Sequence, residues 1–225
     1  MKQHLKRLAA PATWDIARKE ETYMIRPLPG GSPMKFSLPL ATALRMLKIA
    51  NTLKEVKHIL SSALIQVDGK VRKDPKFPVG FLSVLSIASE EKHYRMTLLA
   101  KGSLAFIAAP AAECALKVAS VVNIWKKKGQ YVHHLSDGRN VTSTKKLAST
   151  ASSILFKIPS QEVQDILPLQ KGATVFLIAG KHPATKGTVK ELNETTVVVH
   201  AEHQTFSVSK RSVLVIGKEK QAINV

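Results

Sequence analysis

Thr174-Val-Phe-Leu-Ile-Ala-Gly-Lys-His-Pro-Ala-Thr-Lys-Gly-Thr-Val-Lys-Glu-Leu192 runs from one apolar segment to another across a basic loop. Gly172 precedes it. The first segment reads as a strand that ends at Gly180 and Lys181. The second, Thr188 to Leu192, reads as a strand opened by Gly187. Glycines can take positive φ and bring backbone close to a partner, so Gly180 and Gly187 mark a tight connection. Lys181, His182 and Lys186 in the loop are short-range donors suited to phosphate. The competing reading is an ordinary hairpin whose basic loop is only solvated.

The rest of the chain favours the first reading. It has 225 residues, with 34 Lys and Arg against 16 Asp and Glu, a formal charge of +18. A small domain needs a net charge of only about 2 to 8 in magnitude for solubility. Residues 1–80 carry 15 basic and 6 acidic groups, residues 81–168 carry 11 and 6, and residues 169–225 carry 8 and 4. The whole chain, not a tail, faces a polyanion. An anionic membrane would call for a basic amphipathic helix or a lipid signal, and neither is seen. The strand–loop–strand at Thr174–Leu192 resembles a KOW element, found in proteins that touch RNA.

Composition sets further bounds. Apolar content of 44% supports real cores. No run of 18 apolar residues suggests a membrane span. The opening Met-Lys-Gln-His-Leu-Lys-Arg has no apolar stretch behind it and does not read as a secretory signal. Cys114 is the single cysteine, which rules out an intramolecular disulfide and fits a reducing compartment. It sits in an apolar turn and reads as a packed thiol.

Four segments follow from punctuation and periodicity. Residues 1–36 read as a basic arm broken by Pro11, Pro27, Pro29 and Pro33, with Lys2, His4, Lys6, Arg7, Arg18 and Lys19 for phosphates. Trp14 would stack on a base or pack on the next module; the competing reading of the whole segment is a disordered tail. Residues 37–88 read as two helices and a hairpin. Leu40, Leu44 and Leu47 mark the first helix. Thr52 with Glu55 is a capping box opening the second, Leu53 to Leu60. Asp68-Gly69 between Leu64–Val67 and Lys70–Lys73 signals a type I′ hairpin. A groove lined by Arg45, Lys48, Lys54, Lys57, Lys70, Arg72 and Lys73 is expected here, with Gly69 at the turn and Lys76 beyond it. Residues 89–168 read as a central β-domain whose loop tips carry Lys127, Lys128 and Arg139. Residues 143–153, rich in Ser, Thr and Ala, read as a mobile linker or loop. Residues 169–225 read as a small barrel of four or five strands.

Enzyme and metal readings fare poorly. Asp15, Asp68, Asp74, Asp137 and Asp165 lie in turns, before proline or outside apolar strand context. His133-His134 and His200-x-x-His203 lack cysteine or paired carboxylates and make a poor metal site. No Walker loop or dinucleotide glycine pattern is present.

These strings together carry a family resemblance. His4-Leu-Lys-Arg-Leu-Ala-Ala-Pro11 followed by Trp14, Pro39-Leu40, Val67-Asp-Gly-Lys-Val-Arg-Lys-Asp74, Phe77-Pro-Val-Gly-Phe81, Tyr94-Arg95, Asp137-Gly-Arg-Asn140, Gly180-Lys-His182 and Val215-Ile-Gly-Lys218 are similar, in order, to the eukaryote- and archaea-type small-subunit ribosomal protein family S-four-e. The resemblance implies an α+β chain: a basic N-terminal arm, an S-four-type RNA-binding module, a central β-domain and a C-terminal KOW-type β-barrel. It implies small-subunit ribosomal RNA and neighbouring ribosomal proteins as partners, a cytoplasmic ribosomal location, no catalysis, no cofactor and no small-molecule substrate. Ser83 stands where the family more often has an acid, and residues 143–153 depart from the usual stretch. The short segment after Gly217 points to an archaeal or reduced member. A free RNA-binding regulator or elongation factor built from the same modules is the alternative.

Overall fold

The computed structural model describes residues 4–201, 204–218 and 221–224. The chain is mostly β, with two α-helices among the described residues, and divides into two compact units. The first unit comprises Met1–Thr97 and Ser103–Cys114; the second comprises Leu98–Gly102 and Ala115–Val225. No described helix is long and apolar enough to cross a membrane.

In chain order, the first unit has β1 (His4–Lys6), β2 (Tyr23–Ile25), β3 (Ser37–Pro39), α1 (Leu40–Met46), α2 (Leu53–Ser61), β4 (Ile65–Val67), β5 (Lys70–Val71), β6 (Pro78–Gly80), β7 (Val84–Ile87), β8 (Lys92–Leu98) and β9 (Leu104–Ala108). Its main sheet has the order β5-β4-β7-β8-β9, with β1-β2 and β3-β6 as separate pairs. Helix α1 buries Leu40 and Leu44, one turn apart, while Arg45 stays exposed. The helix ends in a Schellman arrangement: Ile49 N–H donates to the Leu44 carbonyl at 3.1 Å and Lys48 N–H to Arg45 at 3.0 Å. Lys48 holds the left-handed position at φ 56°, where glycine is usual. Helix α2 is opened by the expected box, with Glu55 N–H donating to Thr52 Oγ1 at 3.3 Å and Thr52 N–H to Glu55 Oε2 at 3.4 Å. The Asp68-Gly69 turn has positive φ at both positions, 51° and 72°, and pairs Val67 with Lys70. Asp68 is buried: its carboxylate accepts from Val84 N–H at 3.0 Å and from the Ser83 hydroxyl at 3.3 Å. The turn is thereby tied to β7.

The N-terminal segment is not a loose arm. Trp14 is 2% exposed, forms a bridge with Leu104, and donates Nε1–H to the Met34 carbonyl at 3.3 Å. Leu104 N–H donates to the Thr13 carbonyl at 2.6 Å. One large buried ring and a few main-chain bonds outweigh the prolines that break regular structure around them.

The second unit has β10 (Leu116–Lys127), β11 (Gln130–Leu135), β12 (Asn140–Ser143), β13 (Ser153–Lys157), β14 (Val163–Leu167), β15 (Thr174–Leu177), β16 (Lys186–Leu192), β17 (Thr196–Ala201), β18 (Gln204–Ser209) and β19 (Val213–Gly217). They form two five-stranded sheets, β12-β11-β10-β13-β14 and β18-β17-β16-β15-β19. Strand β10 pairs with β13 through Leu116–Ser120 and with β11 from Val121 onward, with a bulge between Val121 and Asn123. The second sheet leaves β18 and β19 at opposite ends of its order. Val215 N–H donates to Ser153 Oγ at 3.1 Å and joins the two sheets.

Residues 143–153 correct the linker expectation. Ala148, Ser152 and Ser153 are buried. Ser152 Oγ donates to the Ser149 carbonyl at 2.6 Å, and Val121 N–H donates to the Ser152 carbonyl at 2.8 Å. The hydroxyls that make this stretch look unstructured satisfy its own backbone.

Candidate nucleic-acid interface

The first unit carries an open groove of about 880 Å³. Arg45 on α1 and Lys57 on α2 line it, together with His4, Arg7 and Lys76. Glu20 and Glu21 also line it. The basic residues expected around the two helices and the hairpin are therefore not all on one groove. Lys48, Lys54, Lys70, Arg72 and Lys73 lie outside it, because helix periodicity and the turn direct them elsewhere.

Exposure sorts these groups. Arg45, Lys48, Lys54, Lys57, Lys70 and Lys73 are exposed, and none forms an ion pair among the described residues. Arg72 is half-buried, with its guanidinium 4.3 Å from the Phe77 ring centre. Gly69 is exposed at the turn and Lys76 is half-buried. In the N-terminal segment, Lys6 and Lys19 are exposed and His4 meets Tyr23 edge-on at 4.7 Å. Arg7 is committed internally, to Glu21 at 2.8 Å, Glu20 at 3.5 Å and the Ala17 carbonyl at 2.6 Å. Arg18 donates to the Pro11 carbonyl at 3.0 Å. Trp14 is packed and cannot present a ring face to a base. Lys2 lies outside the described residues.

In the second unit, Lys127 and Lys128 stand exposed at the β10–β11 turn. Arg139 is half-buried: Nε lies 3.3 Å from Asp137, and the guanidinium lies 5.5 Å from the Phe156 ring centre. Asp137 also pairs at 3.4 Å with Lys117, which is buried. His133 is fully buried and its two ring nitrogens face the Val141 carbonyl and Leu147 N–H, which makes it a core residue. His200 lies 3.3 Å from Thr205 Oγ1 through Nδ1; His203 is outside the described residues.

In the Gly180 loop, Lys181 and His182 are exposed, and His182 stacks on Phe206 at 4.9 Å and 25°. Lys186 is exposed and donates to Gln221 at 3.4 Å. Gly180 has φ 118°, as expected. Gly187 serves differently: a Cβ there would sit 2.6 Å from the His200 carbonyl, so glycine allows β17 to approach closely. Ala184 supplies the second positive φ, 62°.

Burial also perturbs two side chains away from this surface. It lowers the pKa of Arg95, whose Nη2 donates to the Glu113 carbonyl at 2.9 Å, and raises that of the Cys114 thiol. A raised thiol pKa leaves less thiolate and argues against a nucleophilic Cys114. Sequence reasoning overlooked Trp125, 46% exposed on β10 and stacked on His134 at 5.8 Å. Period-two alternation from the buried Val121 offered no clean signal, because the bulge shifts the register there.

Comparison with known proteins sets this surface in a family. Residues 1–32 match the RS4NT (NUC023) domain, and residues 90–163 match the profile described as ribosomal family S4e. The chain is 31% identical to the small ribosomal subunit protein eS4 of Methanocaldococcus jannaschii, covering 100% of this chain and 98% of that one. It is 35% identical to the eS4 protein of Archaeoglobus fulgidus, covering 96% and 94%. The crystal structure of the 30S ribosomal protein S4e from Thermoplasma acidophilum superposes with a TM-score of 0.69 at 26% identity, over 81% of this chain and 94% of that one. Full-length similarity at these identities, with the fold shared, places the chain in the S4e family of ribosomal proteins.

Proposed function

We propose that the chain is a structural constituent of the small ribosomal subunit that binds and clamps small-subunit ribosomal RNA by neutralising phosphates. The observation that carries this reading is its end-to-end similarity to archaeal eS4 proteins together with lysines exposed in both units. In this reading α1, α2 and the Asp68-Gly69 hairpin act as an S-four-type module, and β15 to β19 act as a KOW-type barrel. Exposed Lys48, Lys54, Lys57, Lys70, Lys73, Lys127, Lys128, Lys181 and Lys186 meet phosphates, and counterion release drives association. The rigid units then fix how the bound helices meet. A-form RNA offers little sequence readout through its deep, narrow major groove, so shape and phosphate contacts dominate. The role is non-catalytic, in the cytoplasm on the ribosome, beside other small-subunit proteins.

Filter binding to small-subunit RNA tests it. About 8 to 10 neutralised phosphates give a slope of log K against log salt of roughly −6 to −9. A slope shallower than about −2 removes the counterion mechanism. Failure to co-sediment with small subunits at physiological salt removes the ribosomal role.

A further inference from the structure

We propose that the outward face of the β10–β11 hairpin is a stacking platform for an unpaired nucleobase of single-stranded RNA, with Trp125 as the receiving ring. This rests on the RNA-binding reading and adds the class of RNA that this face takes. Register puts Asn123 opposite His134 and Trp125 opposite Val132, so these side chains share one face. The other face carries His133 and, on β12, Val141, both buried. The hairpin thus meets its packing demand without Trp125, which remains 46% exposed.

The indole is nevertheless held in place. His134 stacks on it at 5.8 Å with 20° between the planes, and Asn140 Oδ1 lies 2.7 Å from His134 Nδ1. A preset ring loses little freedom when a base lands on it, which lowers the ordering cost of binding. The bulge adds Val122, 58% exposed, to the same hairpin.

Charge selects the occupant. Lys126, Lys127 and Lys128 follow the indole, and residues 114–136 contain no Asp or Glu. Exposed aromatic surface beside lysines that form no ion pair among the described residues is the combination that binds single strands: bases stack on the ring and the backbone follows the charge. A duplex keeps its bases stacked inside and offers this ring nothing to stack on.

Tryptophan fluorescence reads the platform directly, since the chain has two Trp and Trp14 is buried. The full-length protein is titrated with an unstructured RNA octamer of alternating A and C, and separately with an A-form RNA duplex. The octamer should quench emission, and Trp125→Ala should weaken octamer binding about five- to a hundredfold. Duplex affinity should change by less than about twofold, and the salt slope should stay, because no phosphate contact is lost. Trp125→Tyr keeps a stacking ring and should recover most of the affinity. Unchanged octamer binding in Trp125→Ala overturns the platform, as does an equal loss for octamer and duplex. Wild-type protein that binds ribosomal RNA on filters but shows no quenching by the octamer overturns the platform alone. Wild-type protein that binds no RNA in either assay overturns the underlying RNA-binding reading.

Discussion

Residues 4–36 and residues 40–73 sit in the same unit and carry similar charge, six basic groups in the first and seven in the second. They use that charge differently, although Lys6, Lys19 and Lys35 of the first are exposed as well. In the first, Arg7 reaches Glu20, Glu21 and a carbonyl, and Arg18 reaches another carbonyl. In the second, Arg45, Lys48, Lys54, Lys57, Lys70 and Lys73 point to water. Side-chain chemistry explains part of this. A guanidinium is a planar fork with five donors and is readily satisfied by carboxylates and carbonyls that fold over it. An ammonium on a helix face or hairpin strand, with no acid one turn away, stays hydrated. Formal charge counted along a sequence therefore overstates what a polyanion meets in the first segment and not in the second.

The strongest way to break the comparison is to attack the first segment as a folded part. Trp14→Ala should destabilise the protein by about 3 to 5 kcal/mol, the usual cost of removing a large buried aromatic. Deleting residues 1–36 should abolish cooperative unfolding of the first unit, because Leu104 N–H and the Trp14 bridge lose their partners. Denaturant melts of both variants check this. A truncated protein that melts like the parent would restore the segment to a free arm and erase the contrast.

Legibility in the sequence followed the range of the interactions. The capping box at Thr52 and Glu55 and the Asp68-Gly69 turn are set by neighbours in sequence, and local rules found them. The fate of Trp14 is set by Met34 and Leu104, far along the chain, and composition could not choose between packing and stacking. Strand β13 was hidden because it follows a Ser-rich stretch whose order depends on Val121. At the surface, Lys54 and Lys57 of α2 are exposed as their role toward a polyanion required, although only Lys57 lines the groove. The inward turn of Arg139, toward Asp137 and Phe156, was not legible, since its basic character in an Asp-Gly turn suits either role.

The second unit repeats the contrast between inward and outward cations, and its inward case is testable. Lys117 and Asp137 have side chains only 3% and 6% exposed. Asp137→Ala takes away the carboxylate 3.4 Å from the buried Lys117 ammonium and should cost about 3 kcal/mol or more. The double variant Asp137→Ala with Lys117→Met should regain part of that loss, since an apolar pair of similar volume needs no partner. If the single variant melts within about 0.5 kcal/mol of the parent, a typical margin for surface changes, the pair is solvated and the contrast fails in this unit.

Arg72 and Lys73 sharpen the comparison to adjacent residues. Both should contribute to RNA affinity, and removing the two together should cost on the order of 1 to 3 kcal/mol of binding. Their effects on stability should differ. Arg72→Ala removes a guanidinium stacked at 4.3 Å on Phe77 and should lower stability by about 0.5 to 1 kcal/mol. Lys73→Ala, at an exposed position, should leave the melt unchanged. Equal melts for the two single variants would show that Arg72 behaves as an outward cation after all. Full RNA affinity in the double variant would show that the binding face lies elsewhere.

The smallest effect belongs to an outward pair. Lys218 Nζ lies 2.9 Å from Asp165 Oδ1, with the two side chains 58% and 46% exposed. The hydrogen bond from Lys218 is the main cause holding the Asp165 carboxyl below its ordinary pKa; it outweighs the opposing effect of burial, with help from Ile166 N–H. A depressed folded-state pKa means that the pair stabilises the fold fully above the unfolded value, about 3.9 for Asp. That contribution disappears as pH falls through the lower, folded value, where the carboxylate takes up a proton. Exposure and screening limit it to about 0.2 to 1 kcal/mol. Lys218→Ala should therefore lower stability by that margin at pH 7 and low salt, and by less near pH 2 or in 1 M salt, where the Debye length is only about 3 Å. Melts of parent and variant at the two pH values and two salt concentrations check it. A difference that persists undiminished at both low pH and high salt would mean that the Lys218 stem acts by packing, and that even this exposed cation belongs with the inward group.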